Sequence, residues 1–337
     1  MDALGIVVIG RNEGERLKKC LASVIGYGYP TVYVDSGSTD RSVELAQSMK
    51  VSTVVLDPSL AFSAARARNT GAEYLSKKDT KIEYIQFIDG DCVMSSQWLQ
   101  AAFENFKKNE QAAIVCGRRR EMFVEASVYN LLCDLEWNTP IGEAEACGGD
   151  AMMRVKALKE AGAYNPLLIA GEEPELCIRM RKRGWKILRI DADMTLHDAA
   201  MTKFYQWWKR AIRSGYAYAQ VGSMYGAWGA REVLSVFFWV LVLPLVFSGT
   251  RLPMIVLSCI YLALLAKIAI HRLSSGCSLR QASIYAVFCI LAKVPQFLGI
   301  LKFCCTKISG KASRLIEYKS SQCGGSLDVN SHSKAGA

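Results

Sequence analysis

Along the first 90 residues the apolar and polar positions switch repeatedly between a strand period and a helix period. Residues 4–9, 31–34, 52–56 and 84–88 are short apolar runs of strand length. The intervening stretches 14–25, 39–49 and 63–75 carry apolar residues at helical spacing. Strands alternating with helices in this order predict βαβ units and a parallel sheet. Residues 112–200 are mixed, with strands expected at 112–116 and 186–190 and helices at 155–160 and 174–183, and an aromatic, basic helix is expected at 201–222.

From residue 233 the pattern changes. Residues 233–247 and 252–266 contain no charged side chain, and with their flanks each approaches the roughly 20 residues needed to cross a bilayer. The short link Ser248-Gly249-Thr250-Arg251 makes them a candidate transmembrane hairpin. A third apolar stretch, 282–300, is interrupted by Lys293, Pro295 and Gln296, so it reads either as a third span or as an interfacial or re-entrant helix. The Gly- and Ser-rich residues 320–337 are expected to be disordered. The expected organisation is therefore a catalytic domain over 1–225, a helical membrane region over 226–306 and a polar tail over 307–337.

Composition supports the membrane reading. The 337 residues are 51% hydrophobic with a mean hydropathy of +0.14, and the excess lies in the last third. Lys and Arg outnumber Asp and Glu by 41 to 31, a net charge of +10. Much of that charge flanks the apolar segments: Lys203, Lys209, Arg210, Arg213 and Arg231 before the hairpin, His271, Arg272 and Arg280 after it. The positive-inside bias then puts the catalytic domain on the cytoplasmic side of a multi-pass protein of the cytoplasmic membrane. No nucleic-acid-binding motif competes for the charge. Twelve cysteines are scattered without CxxC spacing and no signal peptide precedes them, which favours a reduced environment. Cys304-Cys305, beside an apolar segment, is either a lipid-facing or core pair or a site of palmitoylation.

Three polar clusters fall at the ends of predicted strands: Arg11-Asn12-Glu13, the run Asp35 to Asp40, and Asp89-Gly90-Asp91. In parallel sheets the ligand crevice opens there. Asp89 and Asp91 would face that crevice, where a hard cation such as Mg²⁺ takes carboxylate oxygens and bridges phosphates. Asp35 ends the second strand, where it could accept hydrogen bonds from a nucleobase or ribose. The plain alternative for its cluster is a turn capped by Thr39 or Asp40. Glu172-Glu173 opens a helical stretch; two acids there suit the helix dipole, and they also offer the carboxylate base that an acceptor hydroxyl requires. Arg210 and Arg213, three apart on one helical face, could grip a diphosphate, or belong with Trp207 and Trp208 to a membrane-interface belt. A dinucleotide-dependent oxidoreductase is excluded by the first βα turn, because Gly10-Arg11-Asn12-Glu13-Gly14 lacks GxGxxG spacing.

Taken in order, Val7-Val8-Ile9-Gly10-Arg11-Asn12-Glu13, Val34 to Asp40, Ala67-Arg68-Asn69-Thr70-Gly71-Ala72, Phe87-Ile88-Asp89-Gly90-Asp91, Cys147-Gly148-Gly149-Asp150-Ala151-Met152 and Gly171 to Leu176 resemble the family 2 glycosyltransferases of GT-A fold, a Rossmann-like α/β architecture with a mostly parallel sheet. The resemblance covers roughly residues 4–200. It implies nucleotide contacts from Asn12, Glu13, Asp35 and Arg68, and a Mg²⁺ or Mn²⁺ ion with the diphosphate at Asp89 and Asp91. It also implies a general base at Glu173, where the family usually has aspartate, with Glu172 as the rival. His197 is similar to the histidine that some GT-A enzymes use as a further metal or phosphate ligand. Ser36 stands where many members have an aspartate that reads uracil, so the donor is a UDP- or a GDP-sugar. The implied activity is inverting sugar transfer to a membrane-associated acceptor, a lipid-linked saccharide or glycolipid of surface polysaccharide synthesis. Polyprenyl phosphate itself is the alternative acceptor, and a non-catalytic membrane scaffold the alternative role.

Overall fold

The structure, a computed structural model, describes residues 3–246 and 251–310. The expected disordered tail at 320–337 and Phe247 of the first apolar stretch lie outside the described residues. The first half is built as its pattern predicts: β1 (Leu4–Gly10), α1 (Glu15–Ile25), β2 (Thr31–Asp35), α2 (Ser42–Ser48), β3 (Ser52–Val55), α3 (Ala64–Lys78) and β4 (Tyr84–Asp89). These strands pair in parallel. β1, β2 and β4 consist almost wholly of buried apolar residues, as a strand covered by helices on both faces must. Gly10 registers with Asp35 and Ile9 with Asp89, so β1, β2 and β4 end level at one edge.

Helix α2 starts later than the pattern suggests because residues 35–41 are held as a turn. Asp35 accepts the N–H groups of Gly37 and Ser38 at 2.9 and 2.8 Å, and Asp40 accepts that of Ser42 at 3.0 Å. Of the two expected caps, Asp40 makes the bond at the helix entry.

The chain continues through β5 (Cys92–Met94), α4 (Trp98–Lys108), β6 (Ala112–Glu121), α5 (Val128–Trp137), β7 (Gly142–Glu143), β8 (Ala151–Arg154), α6 (Val155–Glu160), α7 (Glu172–Arg181) and β9 (Lys186–His197). All nine strands join one sheet in the order β3-β2-β1-β4-β8-β6-β9-β5, with β7 on β9. Antiparallel β8 inserts between β4 and β6, which makes the second half mixed. β6 and β9 run five and seven residues beyond their expected ends. They stay paired in parallel across register shifts at Cys116/Arg118 and Arg118/Arg119. Such bulges redirect side chains: Arg118 pairs with Asp134 of α5, while its neighbour Arg119 turns to Asp89 and Asp150.

The C-terminal region comprises α8 (Phe204–Tyr225), α9 (Ala227–Phe237), a π-helical turn (Phe238–Val242), α10 (Leu243–Val246), α11 (Arg251–Ser274), α12 (Leu279–Leu291) and α13 (Lys293–Ile308). Among the described residues, two helical stretches are long and apolar enough to cross a membrane, Ile255–Ser274 and Leu279–Ile308. They correspond to the second and third apolar stretches; the end of the first stretch and the 248–250 link of the expected hairpin lie outside the described residues. Of the first stretch, Val236 is buried with Ala219 of α8 and Ile300 of α13, beside Phe237, Val240 and Phe297, while Leu234, Phe238, Val242 and Leu245 are exposed. The third stretch tolerates Lys293 because Glu232 lies 3.6 Å away. Helices α8 and α13 cross at backbone contact through glycines. A Cβ on Gly215 would lie 2.0 Å from the Gln296 carbonyl oxygen, and one on Gly299 would lie 2.1 Å from that of Ile212.

Candidate active site

The level ends of β1, β2 and β4, the start of α7 and one face of α8 enclose an open cavity of about 610 Å³. Asp89 and Asp91 face it from the turn after β4, and Glu172, Glu173, His197, Arg210 and Arg213 line it as well. The sequence clusters therefore converge on one site.

Asp89 is gripped from two sides. Arg68 of α3 donates to Oδ1 at 3.0 Å and Arg119 of β6 to Oδ2 at 3.1 Å. Arg119 also reaches Asp150 at 2.7 Å. Asp150, fully buried, accepts the Asp89 N–H at 2.9 Å and the Thr195 hydroxyl at 2.7 Å. Buried charges need partners of this kind. Buried Arg68 and half-buried Arg119 thus join Asp89 and Asp150 into one linked floor of the cavity. Arg119 and Asp150 were not assigned roles from the sequence; the signal available was an apolar strand running straight into Arg118-Arg119-Arg120.

The acidic pair forms the first turn of α7, behind Gly171 at φ 78°. That left-handed residue also lies close to α8, where an added Cβ would come within 3.2 Å of Ala217 and Val221. Both carboxylates contact Arg68, Glu172 at 3.2 Å and Glu173 at 3.1 Å. They differ in exposure: the Glu172 side chain is 5% exposed, that of Glu173 16%. Burial, then repulsion from Glu172, raises the Glu173 carboxyl to about 7 despite the opposing pull of Arg68.

Asp91 faces His197 across 3.3 Å at Nε2. On the other side of the ring, Nδ1 is buried without a hydrogen-bond partner, 3.6 Å from Glu121 Oε2. Trp137 packs edge-on against the imidazole at 4.7 Å. Asp91, Cys92 and His197 offer ligand atoms close enough to share one ion, and Asp89, Cys92 and Asp150 form a second such group. Burial, then the Asp150 charge, raises the Cys92 thiol well above its ordinary value, so it stays protonated and leaves oxygen and imidazole as the donors. That set fits Mg²⁺ or Mn²⁺. A metal on Nε2 would leave Nδ1–H facing Glu121, the outer carboxylate that commonly orients a metal-bound histidine. Glu121 is itself fixed by the N–H groups of Phe123 and Ala199 and by the Asn130 amide.

The first two clusters divide into wall and frame. Arg11, Glu13 and Ser36 line the cavity together with Phe62, over which the Arg11 guanidinium sits at 5.6 Å. Glu13 pairs with Arg16 at 2.9 Å. Asn12 and Asp35, expected to touch the nucleotide, do not line the cavity. Asn12 Oδ1 accepts the Thr39 N–H at 2.7 Å, and its own N–H donates to Ser38. Asp35 already accepts four hydrogen bonds, from Tyr33, Gly37 and, twice, Ser38. A carboxylate has about four acceptor positions, so Asp35 here shapes the loop that presents Ser36.

Arg210 and Arg213 line the cavity from α8, and Arg210 also pairs with Glu136 at 2.6 Å. On the far side of α8 lies a second cavity of about 890 Å³, walled by apolar and aromatic groups including Trp207, Trp239, Leu264 and Phe288. Arg210, Ser214 and Tyr218 border both cavities.

Residues 5–162 match the family described as glycosyl transferase family 2. Glycosyltransferase AglE of Haloferax volcanii is 23% identical over 253 residues, covering 71% of this chain and 80% of the relative. Among solved structures, the mannosyltransferase PcManGT of Pyrobaculum calidifontis, in complex with GDP-Man and Mn²⁺, is similar with a TM-score of 0.56 at 15% identity, over 88% of this chain and 87% of its own. Glucosyl-3-phosphoglycerate synthase of Mycobacterium tuberculosis, with Mn²⁺, UDP and its product, superposes with a TM-score of 0.48 at 18% identity, covering 66% of this chain and 79% of its own.

Proposed function

Since the chain carries a family 2 glycosyltransferase domain on a GT-A sheet, we propose that it moves a sugar, with inversion, from a UDP- or GDP-sugar to a lipid-linked acceptor at the cytoplasmic face of a membrane. The observation that carries the reading is Glu173: a carboxyl raised to about 7, facing the same cavity as the Asp89–Asp91 turn and the arginines of α8. A base poised near the working pH is what hydroxyl activation calls for.

In the step proposed, a Glu173 oxygen takes the proton of the acceptor hydroxyl. The freed oxygen forms a bond to the anomeric carbon from the side opposite the diphosphate. The bond from that carbon to the diphosphate oxygen breaks, and its electron pair leaves with the nucleoside diphosphate. Asp91 and His197, with Asp89 alongside, would hold a divalent cation that supplies charge neutralisation for the leaving diphosphate. Arg210 and Arg213 face the same leaving group from α8. Arg68, tied to Asp89, Glu172 and Glu173 at once, sets the distance between the diphosphate end and the base end of the site. Arg11 on Phe62, next to Ser36, offers a platform for the nucleobase. The GDP-Man and Mn²⁺ bound by the similar mannosyltransferase support a donor of this class.

For the acceptor, the support is the second cavity. Its apolar walls lie between α8, the π-helical turn and the two candidate spans, and its polar end meets the donor cavity at Arg210, Ser214 and Tyr218. A prenyl chain suits the first part and its phosphate the second, whether the acceptor is polyprenyl phosphate or a polyprenyl-linked saccharide. A non-catalytic scaffold has no use for a base and a metal-capable group preserved in one cavity. The proposal is tested by a thermal-shift screen of sugar nucleotides with Mn²⁺ on the full chain, followed by transfer from the best donor to polyprenyl phosphate, a polyprenyl-linked saccharide and soluble sugars. Stabilisation by UDP- or GDP-sugars only with the metal, and label in the lipid products alone, is the expected result. Transfer to soluble sugars at equal rates would overturn the acceptor assignment.

A further inference from the structure

A third cavity, of about 890 Å³, lies away from the catalytic site. It is bounded by the extended ends of β6 and β9, the loop 138–141 and the last turns of α11. Its cations come from two sources. Arg118, Arg120 and Arg189 project from the sheet, and Lys267, His271 and Arg272 from the C-terminal end of the candidate span Ile255–Ser274.

The carboxylates present do not answer all of them. Arg118 has Asp134 at 2.9 Å and Arg120 has Asp193 at 2.8 Å. Asp191 stands exposed on the rim, and Glu136, which also lines the cavity, pairs with Arg210. Arg189 is 4% exposed, yet its guanidinium donates only to the Ile190 carbonyl, its Nε is buried without a partner, and among the described residues no carboxylate pairs with it. Arg272 lies over the Tyr285 ring at 3.7 Å rather than against an acid. Burial lowers the Arg118 guanidinium below its ordinary value against the opposing pull of Asp134, with Arg120 and Arg189 adding to the fall. Asp191 and Asp193 attract the Arg189 guanidinium without pairing with it, and its buried Nε still lacks an acceptor, which an anion would supply.

We propose that this cavity binds the phosphate of an anionic membrane lipid headgroup, held between Arg189 below and Lys267 and Arg272 at the end of the span. A phosphate offers several acceptor oxygens to a guanidinium fork. The basic end of an apolar helix is also where phospholipid headgroups meet a membrane protein. The lipid would clamp α11 to the sheet extension that carries Arg119, Glu121 and His197. Free phosphate shares the same chemistry, and the test separates the two.

Purified full chain in neutral detergent is titrated calorimetrically with dioctanoyl phosphatidylglycerol, dioctanoyl phosphatidylcholine and inorganic phosphate. The expected result is saturable binding of phosphatidylglycerol, at least about tenfold tighter than phosphatidylcholine. A Lys267→Gln/Arg272→Gln variant should bind it roughly 30-fold more weakly, at about fivefold per cation lost. Arg189→Gln should abolish it while circular dichroism stays unchanged; should that variant misfold, the surface double variant decides alone. Unchanged affinity in the double variant, or equal affinity for phosphatidylcholine, would overturn the site. Inorganic phosphate binding as tightly as phosphatidylglycerol would overturn the lipid assignment.

Discussion

At the residue scale the proposed base is Glu173, and its raised value fixes the sign of the expected pH dependence. The deprotonated form is the base, so kcat/KM should climb about tenfold per pH unit below about 7 and level off above it. Glu173→Gln should remove that limb and cost about 10²- to 10⁴-fold in rate. Glu172→Gln, deeper and bound to Arg68, should weaken activity and keep the limb but move it to lower pH, because the Glu172 charge helps to raise Glu173; loss of the limb in Glu172→Gln with its retention in Glu173→Gln would make Glu172 the base. Glu121 acts through His197, so Glu121→Gln should weaken Mn²⁺ binding about 10- to 100-fold by calorimetry, with sugar-nucleotide binding in the absence of metal unchanged. Asp150→Asn keeps the size of the side chain but strips half-buried Arg119 of its nearest counter-charge. It should cost about 3 kcal/mol in denaturant unfolding. The sequence made Asp89, Asp91 and the acidic pair legible because they stand at strand and helix ends. Arg119, Asp150 and Glu121 were not, because their roles depend on bulges and crossings that bring distant segments together. For Asn12 and Asp35, expected as nucleotide contacts, the structure adds that they hold the loop 35–40 by hydrogen bonds, a role that a polar residue at a strand end does not announce in the sequence.

The elements divide in the same way. β1, β2 and β4 were legible because burial on both faces leaves nearly uninterrupted apolar runs. The ends of β6 and β9 were not, since Arg118 to Glu121 and Asp191 to His197 are polar positions that pair along the sheet's outer end, where hydrophobicity carries no signal. Helix α4 was within reach of the pattern, as Trp98, Leu99, Ala102, Phe103 and Phe106 form one buried face. At the α8–α13 crossing, glycines rather than large apolar residues mark the contact, which a hydrophobic pattern cannot display. Gly299→Ala should force the helices apart and cost about 1–3 kcal/mol, read as a lowered Tm. Because Arg210 and Arg213 ride on α8, the same variant should also weaken sugar-nucleotide binding, whereas an alanine at exposed Leu298 of the same helix should alter neither.

At the scale of the whole molecule, the apolar helices and the catalytic domain meet along α8, which presents arginines to the donor cavity on one side and borders the lipid-sized cavity on the other. The apolar runs made two helices of membrane-crossing length legible after the α/β domain. Length and hydropathy do not reveal that Val236, at the start of the first stretch, packs against α8 and α13. Narrowing the second cavity with Ser235→Trp should lower transfer to long-chain polyprenyl acceptors at least about tenfold with donor hydrolysis unchanged, because the site of bond breaking lies across α8. The most direct test of the account is transfer of radiolabelled sugar from its nucleotide to an extractable polyprenyl lipid by the full chain with Mn²⁺, with the anomeric configuration of the product determined. The account predicts labelled lipid of inverted configuration, lost in Glu173→Gln and Asp91→Ala proteins that remain folded. Retained configuration, or full transfer by either variant, would contradict it.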